Sequence, residues 1–228
     1  MDGMRSPSYI KKLDDLLCGG LIKPSCILIA GSCGVGKTNL CMQSLFNAAK
    51  EGERCAYVSL LSESETKITR AMSSFTFYDE NLIEDKLKIF SINSDVVAKG
   101  DFAIFEYINE NILKDKPSRV VIDTMNVLED IESTFDERPF HKSELRAFVQ
   151  NLFQEFDENE ILLLATGEIP ASNINESIWS YIFDTVIVLD IQNDDENNYR
   201  YLEIIKERGS DFITGKHKFT ITNDGISF

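Results

Sequence analysis

The sequence predicts an α/β fold built on a mainly parallel sheet with helices on both faces. Three observations lead to this prediction: short apolar runs of strand length, stretches of helical periodicity between them, and alternating, turn-rich sequence after residue 190. The near-continuous apolar character of the runs indicates strands covered on both faces. Strands that alternate with helices in this way form parallel sheets. The six predicted strands are Cys26–Ala30, Cys55–Leu61, Leu87–Ile92, Arg119–Asp123, Ile161–Thr166 and Thr185–Asp190.

Helices are predicted between these strands. Residues 39–50 form a helix-favouring run that follows the first strand after eight intervening residues. Elsewhere apolar residues recur at the 3.6-residue period of an amphipathic helix. These residues are Phe105, Ile108 and Ile112 in one segment, and Leu145, Phe148, Val149, Leu152, Phe153 and Phe156 in another. After the acidic turn 192–198, residues 199–209 and 216–228 predict short antiparallel strands that extend the sheet at one edge.

Length and charge narrow the class of protein. The chain has 228 residues, 43% of them hydrophobic, with 23 Lys plus Arg against 38 Asp plus Glu and a formal net charge of −15. We therefore expect one domain over residues 1–228 with a core of its own. An acidic surface repels phosphate backbones, so nucleic acid is not an expected partner.

The cysteines and the hydropathy indicate a compartment. The five cysteines form an odd set without a CxxC pair, which fits neither a disulfide framework nor a zinc site. We therefore expect a reducing, cytoplasmic environment. No stretch approaches the roughly 18 consecutive apolar residues of a membrane span, so no membrane association is expected.

A complete GxxxxGK[ST] motif directly follows the first predicted strand and opens the first predicted helix. Its glycines let backbone N–H groups surround phosphates, and the helix N-terminus adds positive potential. Lys37 can reach the β- and γ-phosphates, and the Thr38 hydroxyl can bind Mg²⁺. A chance match in a glycine-rich turn is the alternative, but the flanking strand and helix favour an ATP site. The predicted nucleotide-binding residues here are Gly31, Ser32, Cys33, Gly34, Val35, Gly36, Lys37, Thr38 and Asn39.

A carboxylate ends the fourth predicted strand. Asp123 follows an apolar run, and such an aspartate beside a P-loop holds the metal, usually through water. An aspartate after a strand is common and can also cap a loop. Its place some 85 residues after Lys37, in an alternating α/β chain, favours the Mg²⁺ role.

Hydrolysis of ATP also needs a group that positions the attacking water. In RecA-type folds this carboxylate follows the strand next to the P-loop strand, and the second predicted strand here leads into Glu63 and Glu65. Glu63 is the candidate base and Glu65 its competitor. The alternative is that both are acidic residues at the start of the next helix, where they offset its dipole.

Three further segments carry a family resemblance. Residues 9–25 are similar to an "LDxLLxGG" stretch that precedes a first core strand. Residues 57–63 and 75–79 are similar to a "TxLSEP" turn with a downstream "FSFFD". Residues 202–226 are similar to "LxIxKxRGSxxxxGxHxFxIxxxGI", which generic P-loop kinases and small GTPases lack. Over nearly its whole length the chain thus resembles the KaiC-like ATPases of the RecA superfamily.

The resemblance implies a RecA-like P-loop NTPase core that binds ATP and Mg²⁺. It also implies a homo-oligomeric ring, commonly a hexamer, with ATP at subunit interfaces. Lys206 and Arg208 would then act on a neighbour's phosphates, and His217 would lie near the same interface. From the residues alone, alternating charges on an edge strand are ordinary edge protection. Thr166 and Glu168 match a γ-phosphate-sensing "TxE", although the same triplet is also a common strand exit.

Two departures from the family pattern affect the expected activity. Many relatives carry two adjacent glutamates after the second strand, where this chain has Ser62 and Glu63. This difference implies slow turnover. KaiC itself joins two such domains, so its phosphorylation cycle and any autokinase activity are not implied for one.

Three functions follow as alternatives. The first is a slow ATPase ring that regulates a partner, for which the acidic charge favours a protein with a basic surface. The second is a RecA- or RadA-like DNA-dependent ATPase, and the third is a nucleotide-binding scaffold without hydrolysis. The second needs basic loops, yet residues 124–142 contain five acidic side chains against Arg138 and Lys142. We therefore expect the first.

Overall fold

A nine-stranded mixed sheet forms the centre of the molecule, and a separate two-stranded sheet lies at the N-terminus. The computed structural model describes residues 4–60, 63–130, 141–193 and 198–228. In chain order the strands are β1 (Met4–Ser6), β2 (Leu21–Lys23), β3 (Ser25–Ala30), β4 (Cys55–Ser59), β5 (Leu87–Ser91), β6 (Arg119–Asp123), β7 (Leu162–Gly167), β8 (Thr185–Asn193), β9 (Asn198–Glu207), β10 (His217–Thr222) and β11 (Gly225–Ser227).

The order of strands in the large sheet is β11-β10-β9-β8-β3-β7-β6-β4-β5. The six strands from β8 to β5 pair in parallel. The pairs β8/β9, β9/β10 and β10/β11 are antiparallel. The predicted parallel sheet with a C-terminal antiparallel extension is therefore confirmed.

Helices cover both faces of the sheet. They are α1 (Lys11–Leu16), α2 (Lys37–Lys50), α3 (Glu65–Met72), α4 (Ser94–Val97), α5 (Asp101–Tyr107), α6 (Lys142–Glu158) and α7 (Ile178–Ile182). One apolar core layer lies between the sheet and α1, α2 and α3. A second layer lies on the opposite face, against α5, α6 and α7. Within the described ranges, no helix has the length and apolar character that crossing a bilayer requires.

Some boundaries differ from those predicted. The strand predicted over Cys55–Leu61 ends at Ser59, and residues 61 and 62 lie outside the described part. The strand predicted to end at Asp190 continues to Asn193, because it pairs with β9 up to Asn198. Helix α5 passes into a π-helical turn at residues 108–112. Residues 131–140, which belong to the acidic segment after Asp123, also lie outside the described part.

A buried cation ties the P-loop helix to the sheet. Arg119, at the start of β6, is fully buried, and its guanidinium donates to the Ser44 hydroxyl of α2 at 2.9 Å and the Pro7 carbonyl at 2.8 Å. It also pairs with Glu53 at 3.3 Å. Burial acts to raise the pKa of Glu53, but the Arg119 charge and hydrogen bonds from Ser118 and Tyr9 outweigh it, so the pKa is lowered. The charge of Arg119 is thus compensated inside the protein.

Candidate functional site

The P-loop motif connects β3 to α2 and needs glycine at two positions. Gly31 and Gly36 have φ values of +152° and +113°. A Cβ at Gly31 would lie 2.1 Å from the Leu189 carbonyl oxygen, and one at Gly36 would lie 2.8 Å from Ile221 Cδ1. At these two positions the loop packs so closely against β8 and β10 that a residue with a side chain would not fit.

The ammonium group of Lys37 lies across this loop. Lys37 is only 7% exposed, and Nζ donates to the carbonyl oxygens of Gly31 and Ser32, both at 2.9 Å. A buried cation is tolerated because these oxygens replace its water. Phosphate oxygens can replace the carbonyl oxygens in turn, with a stronger charge-assisted bond.

Three hydroxyl groups from three elements converge on the carboxylate of Asp123. The Thr38 hydroxyl on α2 and the Tyr57 phenol on β4 each donate to Oδ2 at 2.7 Å. The Thr166 hydroxyl on β7 donates to Oδ1. Burial and the adjacent Asp123 charge raise the pKa of Tyr57 well above its usual value, so the phenol remains a donor. The arrangement holds a buried carboxylate in one orientation.

The donor set fits a magnesium ion. Mg²⁺ prefers hard oxygen ligands, and the Thr38 hydroxyl already touches a carboxylate oxygen of Asp123. A cation bound here would offset the negative charge of a carboxylate that is only 8% exposed. Thr38 and Asp123 are the residues that would hold it.

A cavity of about 250 Å³, here called the P-loop cavity, opens beside these residues. The P-loop, the carboxylates of Glu63, Asp123 and Glu168, and the apolar side chain of Ile221 from the C-terminal extension are part of its lining. The lining residues are Cys33, Gly34, Gly36, Lys37, Thr38, Asn39, Tyr57, Ser59, Glu63, Asp123, Thr124, Glu168 and Ile221. Nucleotides bind at this position in parallel sheets, outside the carboxyl ends of the strands.

The two competing glutamates occupy different positions. Glu63 lines the P-loop cavity, and its carboxylate forms an ion pair with Lys67, one turn into α3. Glu65 is the first residue of α3, is exposed, and is not among the residues that line the cavity. The hydroxyl of Ser64 caps the helix by accepting from the backbone N–H of Lys67. The geometry favours Glu63 over Glu65 for contact with a bound ligand.

The predicted sensor residues also separate. Glu168 lines the P-loop cavity, and its backbone N–H donates to the Asn126 side chain. Thr166 is fully buried, and besides donating to Asp123 it accepts at its carbonyl oxygen from the Thr124 hydroxyl at 3.0 Å. Thr166 therefore contacts the carboxylate, whereas Glu168 faces the space that a ligand would fill.

Arg208 lies toward the amino ends of β3 and β8, away from the chain's own P-loop, and Lys206 lies two residues nearer to the loop. Lys206 on β9 pairs with Val186 near the start of β8, and the Arg208 N–H donates to the Asp184 carbonyl. The P-loop follows Ala30, level with Val188. At about 3.3 Å per strand residue, Arg208, level with Asp184, is roughly 13 Å along the strands from the level of Ala30.

Both cations are held by the segment around α7. Lys206 Nζ donates to the Ser180 carbonyl at 2.7 Å. Arg208 donates to the Tyr181 carbonyl at 2.6 Å and pairs with Asp184 at 3.1 Å. Burial, together with the Arg208 charge, lowers the pKa of Lys206. Tyr181 is 61% exposed, so this end of the sheet presents an apolar ring beside two cations.

His217 lies apart from these two cations. It starts β10 and pairs with Leu202, which in turn pairs with Leu189 on β8. His217 is therefore at the P-loop end of the sheet, two strands out from β8. Its Nε2 atom is buried and has no hydrogen-bond partner among the described residues. Its predicted role at a subunit interface stays a prediction.

Four cavity residues were missed by the sequence reasoning: Tyr57, Ser59, Thr124 and Ile221. Ser59 and Tyr57 could have been found, because β4 is adjacent to β6 and Ser59 pairs directly with Asp123. Thr124 follows Asp123 and is next to the site for that reason alone. Ile221 is a position of the C-terminal motif, but the motif does not indicate that the C-terminal hairpin folds onto the P-loop.

Several known proteins are similar to this chain in sequence or structure. A family model described as the KaiC ATPase matches residues 6–228. The circadian clock oscillator protein KaiC of Parathermosynechococcus lividus is 30% identical over 228 residues, which cover 98% of this chain and 40% of that protein. The circadian clock protein KaiC2 of Synechocystis sp. is 29% identical over 234 residues, with the same two coverages. The chain thus spans about 40% of the length of these two curated relatives.

A solved structure gives the same result. The crystal structure of a KaiC-like protein from Pyrococcus horikoshii OT3 superposes with a TM-score of 0.81, at 26% identity and 98% coverage of both chains. With the P-loop and Asp123 at the carboxyl edge of a mainly parallel sheet, the molecule is a P-loop protein of the RecA-like α/β fold. The chain belongs to the KaiC family of ATPases, which confirms the resemblance seen in its sequence.

Proposed function

We propose that residues 1–228 act as one ATPase domain that binds Mg-ATP, hydrolyses it slowly, and forms a ring with ATP between subunits. The observation that carries the proposal is the contact between Thr38 and Asp123, which closes a phosphate loop against an acidic strand end. Glu63 lines the same cavity. Phosphate cradle, metal ligands and candidate base therefore meet in one place.

Binding of ATP follows from the groups that surround the cavity. The loop amides and the start of α2 offer donors and positive potential to the phosphates. Lys37 exchanges its bonds to the Gly31 and Ser32 carbonyls for bonds to phosphate oxygens. Mg²⁺ held by Thr38 and Asp123 would supply positive charge for the β- and γ-phosphate oxygens. Ile221 offers an apolar contact beside the loop.

Hydrolysis requires a base near the γ-phosphate. Glu63 accepts a proton from the attacking water and orients it in line with the bond that breaks. In the free protein its carboxylate pairs with Lys67, so this ion pair competes with the catalytic arrangement. The competition is consistent with slow turnover. Glu168, also in the cavity, is placed to respond to the γ-phosphate.

The position of Lys206 and Arg208 supports an interfacial site. Both bind carbonyl groups of the segment around α7, toward the amino ends of the parallel strands and away from their own P-loop. In a ring the same two residues face the P-loop cavity of the next subunit and neutralise charge that develops on its γ-phosphate. A hexamer is the expected size because the family resemblance implies one.

The charge of the chain supports a regulatory role with a basic protein partner. The formal net charge is −15, and Lys37, Lys206 and Arg208 are committed to phosphates under this proposal. The remaining surface attracts cationic proteins and repels nucleic acid. All five cysteines are free thiols, in keeping with a cytoplasmic protein.

One experiment tests catalysis and separates the alternative functions. ATP turnover is measured for the parent chain, for Glu63→Gln and for the matched control Glu65→Gln, with and without single-stranded DNA. We expect Glu63→Gln to abolish turnover while it still binds ATP, and Glu65→Gln to retain it. Equal turnover in all three would remove Glu63 from the mechanism.

Other outcomes identify the other functions. If single-stranded DNA strongly stimulated turnover, the proposed regulatory function would be wrong and the chain would be a DNA-dependent ATPase. If the parent chain bound ATP but did not hydrolyse it, the chain would be a nucleotide-binding scaffold. The particle mass in solution, measured with and without Mg-ATP, tests the ring, and a monomer under both conditions contradicts an interfacial site.

A further inference from the structure

The carboxylate of Asp123 accepts hydrogen bonds from side chains of both neighbouring strands. The sheet order places β6 between β7 and β4. Tyr57 of β4 donates to Oδ2, and Thr166 of β7 donates to Oδ1. The two donors therefore fix both carboxylate oxygens from opposite sides.

The third donor, Thr38, differs from the other two because it is itself a candidate metal ligand. In the described structure Thr38 shares Oδ2 with Tyr57, each at 2.7 Å. If its oxygen bound a metal ion through a lone pair, the direction of its O–H group would be set by that ion. Of the three donors, Tyr57 on Oδ2 and Thr166 on Oδ1 are the two that are not themselves candidate metal ligands.

Burial makes these two hydroxyl groups specific partners of the carboxylate. Tyr57 is 2% exposed and Thr166 is fully buried, so solvent does not compete for their hydrogen bonds. Asp123 is 8% exposed and borders the P-loop cavity. Without these hydroxyl groups a buried carboxylate could rotate toward any other donor, and its metal-binding lone pairs would be misdirected.

We propose that Tyr57 and Thr166 are positioning residues, which hold Asp123 in the orientation that metal binding requires. The inference rests on the proposed Mg-ATP function and assigns two residues to it. Hydroxyl groups that orient a metal-binding carboxylate typically contribute 10- to 100-fold to metal affinity. A hydroxyl that only fills space in the core would contribute nothing to it.

The test measures metal binding directly. Mn²⁺ replaces Mg²⁺ as the probe, and its binding to the protein with a non-hydrolysable ATP analogue is followed by electron paramagnetic resonance. We expect Tyr57→Phe to raise the Mn²⁺ dissociation constant about tenfold, while binding of the analogue in EDTA is unchanged. Tyr201 is also buried but lies on β9, away from Asp123, so Tyr201→Phe is the matched control. It should leave the dissociation constants of Mn²⁺ and of the analogue unchanged.

Variants at Thr166 distinguish positioning from packing. Thr166→Val keeps the side-chain volume and removes the hydroxyl, so it should weaken Mn²⁺ binding, whereas Thr166→Ser keeps the hydroxyl and should restore it. Equal loss in both variants, or a Mn²⁺ dissociation constant for Tyr57→Phe within twofold of the parent value, would overturn the positioning proposal alone. A parent chain that binds no Mn²⁺ with the analogue would overturn the proposed function and the positioning role with it.

Discussion

The hydroxyl of Thr38 donates to the carboxylate of Asp123 at 2.7 Å, although the two residues are 85 positions apart in the chain. This contact joins the start of the P-loop helix to the end of β6. It brings together the two oxygen ligands that a P-loop site needs for its metal ion.

Replacement of either residue should remove the Mg²⁺-dependent part of ATP affinity. We expect Thr38→Val and Asp123→Asn to bind an ATP analogue in Mg²⁺ no better than in EDTA, as measured by titration calorimetry. Because the two residues act on one ion and either replacement removes its effect, the double variant should lose about as much affinity as one single variant, not the sum of the two losses. Strict additivity would show that they do not share a metal.

Alkylation of Cys33 should report nucleotide binding without any turnover. Cys33 is exposed and lines the P-loop cavity, so bound ATP should slow its reaction with iodoacetamide severalfold. The measurement uses a Cys18→Ser background, because Cys18 is the other exposed cysteine and the remaining three are buried. Added Lys37→Ala should abolish the protection, and an unchanged rate at saturating ATP would place the nucleotide elsewhere.

Mixed rings test the role of Arg208. Arg208→Ala should lower turnover by roughly 10³-fold, and Lys37→Ala should eliminate ATP binding at its own loop. In a mixture, an intact P-loop can meet an intact Arg208 from the adjacent subunit, so activity should reappear. Turnover is measured against the mixing ratio, with each variant alone as the control. No recovery at any ratio would contradict action between subunits.

The buried cation Arg119 should be among the most sensitive positions for folding. Arg119→Met leaves Glu53 without its charge partner and also removes the hydrogen bond to Ser44 of α2. We expect a loss of about 3–5 kcal/mol in the free energy of unfolding, measured with urea. The double variant with Glu53→Gln should recover part of this loss. A loss below about 1 kcal/mol would mean that the network is not a stabilising one.

The buried carboxylate of Glu207 should make the stability of the chain depend on pH. Burial raises the pKa of Glu207, and Arg5, 3.7 Å away, offsets only part of the effect. Since the folded pKa exceeds the unfolded one, the native state binds this proton more tightly, and stability rises as the pH falls through the folded pKa toward the unfolded value. Glu207→Gln should lack this increase.

The measurement compares urea unfolding at pH 8 and pH 5. The parent chain should gain more stability on acidification than Glu207→Gln does, whereas Glu203→Gln, on the same strand, should behave like the parent. Equal gains in the parent and Glu207→Gln would remove Glu207 as the source.

What the sequence could predict follows from how local each signal is. The P-loop, Asp123 and the strands rest on residue types and periodicity within a few positions, and these were confirmed as elements of the fold. The contact of Tyr57 with Asp123 depends on which strands are neighbours and on how a side chain leans along the sheet. The packing of Ile221 on Gly36 depends on a hairpin that returns some 185 residues later in the chain. No local pattern encodes either contact.

The opposite placement of the P-loop and the pair Lys206 and Arg208 gives each subunit two unlike ends. Under the proposed arrangement, an open arc of subunits has one finished catalytic site fewer than it has chains, and only closure of the circle finishes the last. Specific activity would then depend on protein concentration, with an isolated chain silent and a dimer at half capacity. A partner that opens the circle at one joint would lower the output stepwise, without touching a nucleotide.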